Sequence, residues 1–331
     1  MTRPSGVIAL SLLALTAAIA LGVSFGTEPV SLVRALSDVE SLDRAIALDV
    51  RLPRVLLGAV AGAGLSIVGV ALQALLRNPL AEPYVLGVSG GSAVGATVAI
   101  LVGVSTATSM GASVVPLFAL AGGLGATALV HTLASAAPDS RGASVLLAGI
   151  VVNAIASAAI TFVKTLVTQS KAQELLFWLT GFLDVPSRAS LVAMTLYVAV
   201  GAAVLLRDAA RLNVLSLGDA AAEHLGIPVR GLERRTYLAS SLVVGAIVSV
   251  TGLIGFVGLL VPHALRRIVG PDARLLMPAS LGFGGAALVL CDLVSRAAFR
   301  FLHTEPPVGA VTALIGGTLF LLLLRRRAAH P

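Results

Sequence analysis

The chain has 331 residues, 57% of them hydrophobic and 12% charged, with a mean hydropathy of +0.99. Soluble domains carry roughly a quarter charged residues, so this composition excludes an ordinary globular class and reads as a polytopic membrane protein. The net charge of +7 rests on arginine, with Lys164 and Lys171 the only lysines; the arginines sit at the ends of apolar segments with little aromatic interleaving, which excludes a nucleic-acid surface.

The first apolar segment, 6–25, follows Arg3. Its length of about 20 residues suits a retained membrane helix better than a cleaved leader, whose apolar region runs about 7 to 15. Further spans are expected at 55–76, 85–104, 112–134, 144–167, 191–206, 275–298 and 308–324. The region 236–269 is too long for one untilted helix and short for two, with Gly252, Gly255 and Gly258 in its middle. Read as two short helices broken near 251–255, it places Arg3, Arg77, Arg141, Arg266, Arg267, Arg274 and Arg325–Arg327 on one side, so the positive-inside rule selects ten spans with both termini cytoplasmic. Such a break must be buried in protein, because unpaired backbone facing lipid costs several kcal/mol per group.

The other side then receives three segments: the mixed-charge 26–54, the stretch 168–190 with an amphipathic helix expected at 174–182 and Trp178 as an interfacial anchor, and 296–307. No soluble unit is large enough to fold alone, so residues 1–331 form one membrane domain. The interval 207–235 is the densely charged one between spans, and within it a short helix at 218–225 is closed by Gly226-Ile227-Pro228. Leu217, Ala221 and Leu225 would form an apolar stripe flanked by Asp219, Glu223 and His224.

Small residues fill the spans, notably Gly58, Ala61, Gly62, Gly64, Ser66 and Gly69, which permits close helix packing. Gln73 and Asn153 are polar inside spans, serving as interhelical hydrogen bonds or as path lining. No Walker A pattern includes either lysine, so the chain is expected to bind no ATP and to be no enzyme. No metal-ligand or paired-cysteine spacing occurs, so neither metal nor cofactor is expected; Cys291 is the single cysteine. Gly87-Val88-Ser89-Gly90-Gly91 fits G-x-S-x-G, which raises an intramembrane serine protease using His131 or His263. The nucleophile elbow needs a strand-to-helix turn, however, and this run opens a helix after Pro79 and Pro83. An ion-coupled secondary transporter is the other alternative; it calls for paired intramembrane carboxylates, and Asp292 is the one acid well inside a span.

Several runs in order carry a resemblance: RLPR at 51–54, QALLRNPLAEP from Gln73 followed by LGVSGG, LLAGIVVNAIASA from Leu146, FWLTGFL from Phe177, LGDAAAEHLGI from Leu217, GLIGFVGLLVPHALRRIVGPDARLLMP from Gly252 and PPVGAVTALIGGTLFLLLLRR from Pro306. Together they resemble the permeases of binding-protein-dependent ABC importers for ferric siderophores, heme and cobalamin. The resemblance implies a homodimer in a bacterial cytoplasmic membrane, two ATPase subunits on the cytoplasmic face, a substrate-binding protein opposite, and alternating access. It implies that Arg51, Arg54 and Arg296 dock the binding protein, the alternative being local salt bridges to Asp49 and Asp292. It assigns ATPase coupling to Leu217, Gly218, Asp219, Ala222, Glu223, His224, Leu225 and Gly226. A cytoplasmic gate would comprise Asn78, Pro79 and Leu80 with Gly142 and Ala143, the last two departing from the hydroxyl residues of the cobalamin importer.

Overall fold

The computed structural model describes residues 4–103, 111–135 and 141–328, and throughout these the chain is helical with no strand. In chain order the helices are α1 (Pro4–Ser24), α2 (Leu32–Ser37), α3 (Leu42–Leu75), α4 (Val88–Leu101), α5 (Gly111–Ser135), α6 (Arg141–Leu166), α7 (Gln169–Thr180), α8 (Arg188–Leu215), α9 (Asp219–His224), α10 (Val229–Thr251), α11 (Val257–Val269), α12 (Ala273–Leu302) and α13 (Val308–Ala328). By length and composition α1, α3, α5, α6, α8 and α12 can each cross a membrane, while α4 and α13 contribute shorter apolar runs. Helix α10 falls outside this set because Arg230, Glu233, Arg234 and Arg235 charge its first turns, and α11 because it has only 13 residues.

Helix α3 is the axle of the bundle. Of its 24 residues from Leu52 to Leu75, 17 are buried, against four of 21 in α1. The small residues make this burial feasible: a Cβ on Gly62 would sit 2.2 Å from the Gly284 carbonyl of α12, and one on Gly69 1.8 Å from the Gly258 carbonyl of α11. Two backbones therefore approach α3 at van der Waals distance, which is how apolar helices gain dispersion contact where lipid supplies no hydrophobic drive.

The break in 236–269 is present but asymmetric. Helix α10 runs 23 residues to Thr251, the chain is non-helical from Gly252 to Phe256, and α11 adds 13. Thr251 and Ile254 are buried, so the irregular backbone is shielded by protein. Gly258 meets α3 beside Leu65 and Gly69, near the middle of that helix, so α11 covers only half of the bundle's depth.

Three sequence expectations shift. The 26–54 segment is largely structured: α2 precedes α3, whose residues Ala45–Arg51 form a π-helical turn, with the Leu52 amide donating to the Ala47 carbonyl. Pro53 explains the wider turn, since its ring would meet the Asp49 carbonyl in α geometry. The amphipathic helix begins at Gln169 and ends before Gly181 (φ 74°), and Phe182 lies beyond it, donating its amide to the Thr251 carbonyl. Trp178 packs inward against the core, leaving Leu176 and Phe177 as the exposed apolar residues of this helix.

Candidate functional site

The two ends of the bundle carry different chemistry. At one end α9 is set off by two glycines in left-handed or related backbone, Gly218 (φ 118°) and Gly226 (φ 78°), which turn the chain sharply on either side of six helical residues. Ala222 faces inward and is fully buried, while Leu217 and Leu225 remain 71% and 66% exposed. The expected stripe is thus realised at its two flanking leucines rather than along the helix. Arg77 reaches across from the end of α3 to pair with Asp219 at 2.6 Å, and both side chains are about half exposed.

Behind α9 the flanking helices are clamped, by residues the sequence did not single out. Asp208 of α8 is buried and accepts hydrogen bonds from Arg235 of α10 at 2.9 Å and from Arg211 at 2.5 Å. Asn213 accepts the Ala273 amide at 2.8 Å and donates to Asp272 at 2.7 Å, tying α8 to the start of α12. Burial opposes the charge on Asp272, but the Asn213 hydrogen bond and the Arg274 contacts outweigh it and hold this carboxyl below its usual range. No local pattern announces Asp208–Arg235, because the partners lie on different helices.

The loop after α3 lies at this end too. Arg77 takes a positive φ of 48°, and the Asn78 side chain accepts the Leu80 amide at 2.9 Å while its carbonyl accepts the Ala81 amide. Asn78, Pro79 and Leu80 form a turn locked from within, with Leu80 exposed. Gly142 and Ala143 occupy the first turn of α6, and their side chains lie outside the described residues.

Beyond this turn the chain climbs into the bundle, and the structure brings Glu82 to the start of α11. Its carboxylate accepts the Phe256 amide at 2.6 Å, placing a negative group at the positive end of the half-depth helix. Asn153 bridges the same region, accepting the Gly90 amide at 3.0 Å and donating to the Tyr84 carbonyl at 2.9 Å. The Gly-rich start of α4 therefore serves close packing, with one amide already satisfied. Gln73 accepts from Arg266 at 3.0 Å and donates to the Leu259 carbonyl at 3.4 Å, an interhelical bond between α3 and α11. Among the described residues Ser89 Oγ has no hydrogen-bond partner, and no histidine there is positioned to activate it. His263 is buried, His131 packs against the Tyr237 ring at 5.9 Å, His303 caps α12 with a φ of 54°, and His330 lies outside the described residues.

At the opposite end, near α7, the three sequence-selected arginines converge. Asp292, 1% exposed, receives Arg54 at 2.9 Å and Arg296 at 2.8 Å, and Arg54 also pairs with Glu305 at 2.9 Å. Arg296 donates further to the carbonyls of Gly22 and Phe25, each at 2.9 Å. Arg51 donates to those of Val23 and Ser24, each at 3.2 Å, and to the backbone carbonyl of Glu28. Two guanidinium groups thus take up the last carbonyls of α1, which have no acceptor use inside the helix and carry its negative dipole end. The local alternative for Arg296 is realised. Asp49 forms no ion pair with Arg51 among the described residues. Arg51 and Arg296 are 5% and 3% exposed, so in this conformation they offer little surface to a partner; Arg54 and Glu305 form the accessible rim.

Between α4, α6 and α7 opens a cavity of about 370 Å³, lined in part by Ser89, Asn153, Ser157, Thr161, Lys164 and Leu179.

The FecCD transport family matches residues 11–326. The cobalamin import system permease of Halobacterium salinarum is 44% identical over 84% of this chain and 73% of its own length. The hemin transport system permease of Yersinia pestis is 36% identical, covering 85% and 79%. Among solved structures, a metal-chelate type ABC transporter in an inward-facing conformation superposes with a TM-score of 0.85 at 29% identity, over 98% of this chain and 99% of that one. The helix order, the broken α10–α11 pair and these matches lead to one identification: the chain is a membrane permease of the FecCD transport family.

Proposed function

We propose that this chain is the permease subunit of an ATP-driven importer of an iron chelate, heme or a corrinoid. It works by alternating access as a homodimer with two ATPase subunits and a substrate-binding protein. Helices α1, α3, α4, α5, α6, α8, α10, α11, α12 and α13 supply ten spans, and both termini and α9 are cytoplasmic. In this reading α9 is the lever. The observation that carries it is a short helix between two glycine turns, presenting Leu217 and Leu225 to solvent at a polar end of the molecule while the helices behind it are clamped through Asp208 and Asn213. Exposed leucines in such a place suit the cleft of a second protein, since burying each contributes about 1.5–3 kcal/mol.

The binding protein docks at the α7 end through the rim of Arg54 and Glu305, while Arg51 and Arg296 hold α1 in place beneath. The turn of Asn78, Pro79 and Leu80, joined to α9 through Arg77, narrows the cytoplasmic exit together with Gly142 and Ala143. Motion of α9 would reach this turn directly.

Reconstitution tests the reading. Leu217→Asp with Leu225→Asp should abolish ATP-driven uptake and weaken ATPase binding by about tenfold or more, with the thermal unfolding of the isolated permease unchanged. Uptake that persists in this variant, or in vesicles lacking an ATPase, would overturn it in favour of an ion-coupled transporter.

A further inference from the structure

The cavity between α4, α6 and α7 contains a pattern the importer reading leaves unused. Asn153, Ser157, Thr161 and Lys164 follow one another at spacings of four, four and three along α6, so they share one face of the helix. All four line the cavity, and Asn153 lies about 16 Å along the axis from Lys164. Among the described residues the lining holds no aspartate or glutamate, and Lys164 has no carboxylate within ion-pairing distance. Ser89, only 6% exposed, adds to the same wall a hydroxyl with no hydrogen-bond partner among the described residues.

Thr161 is satisfied by the Ser157 carbonyl and Asn153 by Gly90 and Tyr84, but an ammonium group without a counter-charge beside the Ser157 hydroxyl and the buried Ser89 hydroxyl makes poor lipid-facing surface, since a polar group left unpaired in hydrocarbon is costly. A lysine whose only task was to anchor the helix at the membrane surface would need none of the polar groups below it. We propose that this groove is an oxyanion subsite on the transport path, where Lys164 receives a carboxylate edge of the substrate and Ser157 and Ser89 donate to its polar body. The proposal rests on the importer reading for the word path, and it narrows the cargo to chelates bearing carboxylates or comparable oxyanions. Asn153 positions the wall rather than binding, because its amide is engaged by Tyr84 and Gly90.

The test reads the potential in the groove directly and does not depend on ATP. In the assembled transporter carrying Cys291→Ala, Ser157→Cys is labelled from the α7 side with methanethiosulfonates bearing a sulfonate or a trimethylammonium group. The sulfonate should react faster, and Lys164→Gln should lower the ratio of the two rates by about fourfold, as expected for removing one charge roughly 10 Å away in water. Lys164→Arg should restore the ratio. Citrate should slow labelling in the protein with Lys164 and leave the Lys164→Gln variant unaffected, equally in vesicles of neutral and of anionic phospholipid. A ratio indifferent to Lys164, a thiol unreachable by either reagent, or protection seen only with anionic lipid would overturn the subsite, the last by assigning the groove to a lipid headgroup. Loss of ATP-dependent uptake with the labelling pattern intact would instead remove the importer reading and leave the anion groove standing.

Discussion

Two arginine–aspartate contacts of similar length stand at opposite ends of the bundle. Arg54 and Asp292 meet at 2.9 Å with the carboxylate 1% exposed, while Arg77 and Asp219 meet at 2.6 Å with both side chains about half exposed. The distance does not distinguish them, but the surroundings do. In the buried knot Arg54, Asp292, Arg296 and Glu305 pair with one another and Arg51 and Arg296 hold the carbonyl end of α1, so removing Asp292 strands its arginines in low dielectric. In the exposed pair water and salt replace whatever is lost. One end is therefore built to stay fixed, and the other is free to exchange its contacts.

The comparison breaks most readily at Asp292. Asp292→Asn should destabilise the detergent-solubilised protein by about 3 kcal/mol, read from its unfolding midpoint. An unchanged midpoint would mean that the arginines have other support. Arg54→Gln should next weaken binding-protein affinity by about threefold at low salt and hardly at high salt. Equal affinities at every salt concentration would remove docking at this rim. Arg77→Ala should alter stability by less than about 1 kcal/mol, so that any larger loss of uptake measures communication between α9 and the Asn78 turn.

The smallest expected effect is at Asp272. Its carboxyl is held below the usual value of 3.8, so its contribution to stability is complete well above that pH and disappears as pH falls through the lower folded-state value. The side chain is 48% exposed, so screening limits the effect to a few tenths of a kcal/mol. Asp272→Asn and the parent should differ at pH 6 and converge as the pH falls below the lowered folded-state value; a gap that widens on acidification would reverse the assignment.

Elements with local signals were legible before the fold. Glycine on both sides of a short polar helix predicted α9, because backbone freedom is a property of the residue itself. Asp292 and Arg296, four apart on a helix, were readable as a pair. Arg54 and Asp292 are 238 residues apart, and Glu82 and Phe256 are 174 apart. Nothing in either local stretch anticipates the other, and Glu82 accepts the Phe256 amide at the start of α11. Likewise Trp178 looked like a surface anchor because amphipathic spacing gives one face of a helix but not what that face meets.

Composition and spacing by themselves determined a membrane protein of many helices, the break in the 236–269 region and the charged interval that holds α9. These depend on hydropathy, length and backbone preference, which each segment carries alone. Only the tertiary structure decided that the three arginines are mostly buried, that Glu82 meets α11 and that Lys164 and Ser89 line one cavity. Those outcomes depend on which helices pack against one another, as α11 and α12 do on the glycines of α3 and α6 on Gly90 of α4, and close packing is a property of pairs of surfaces.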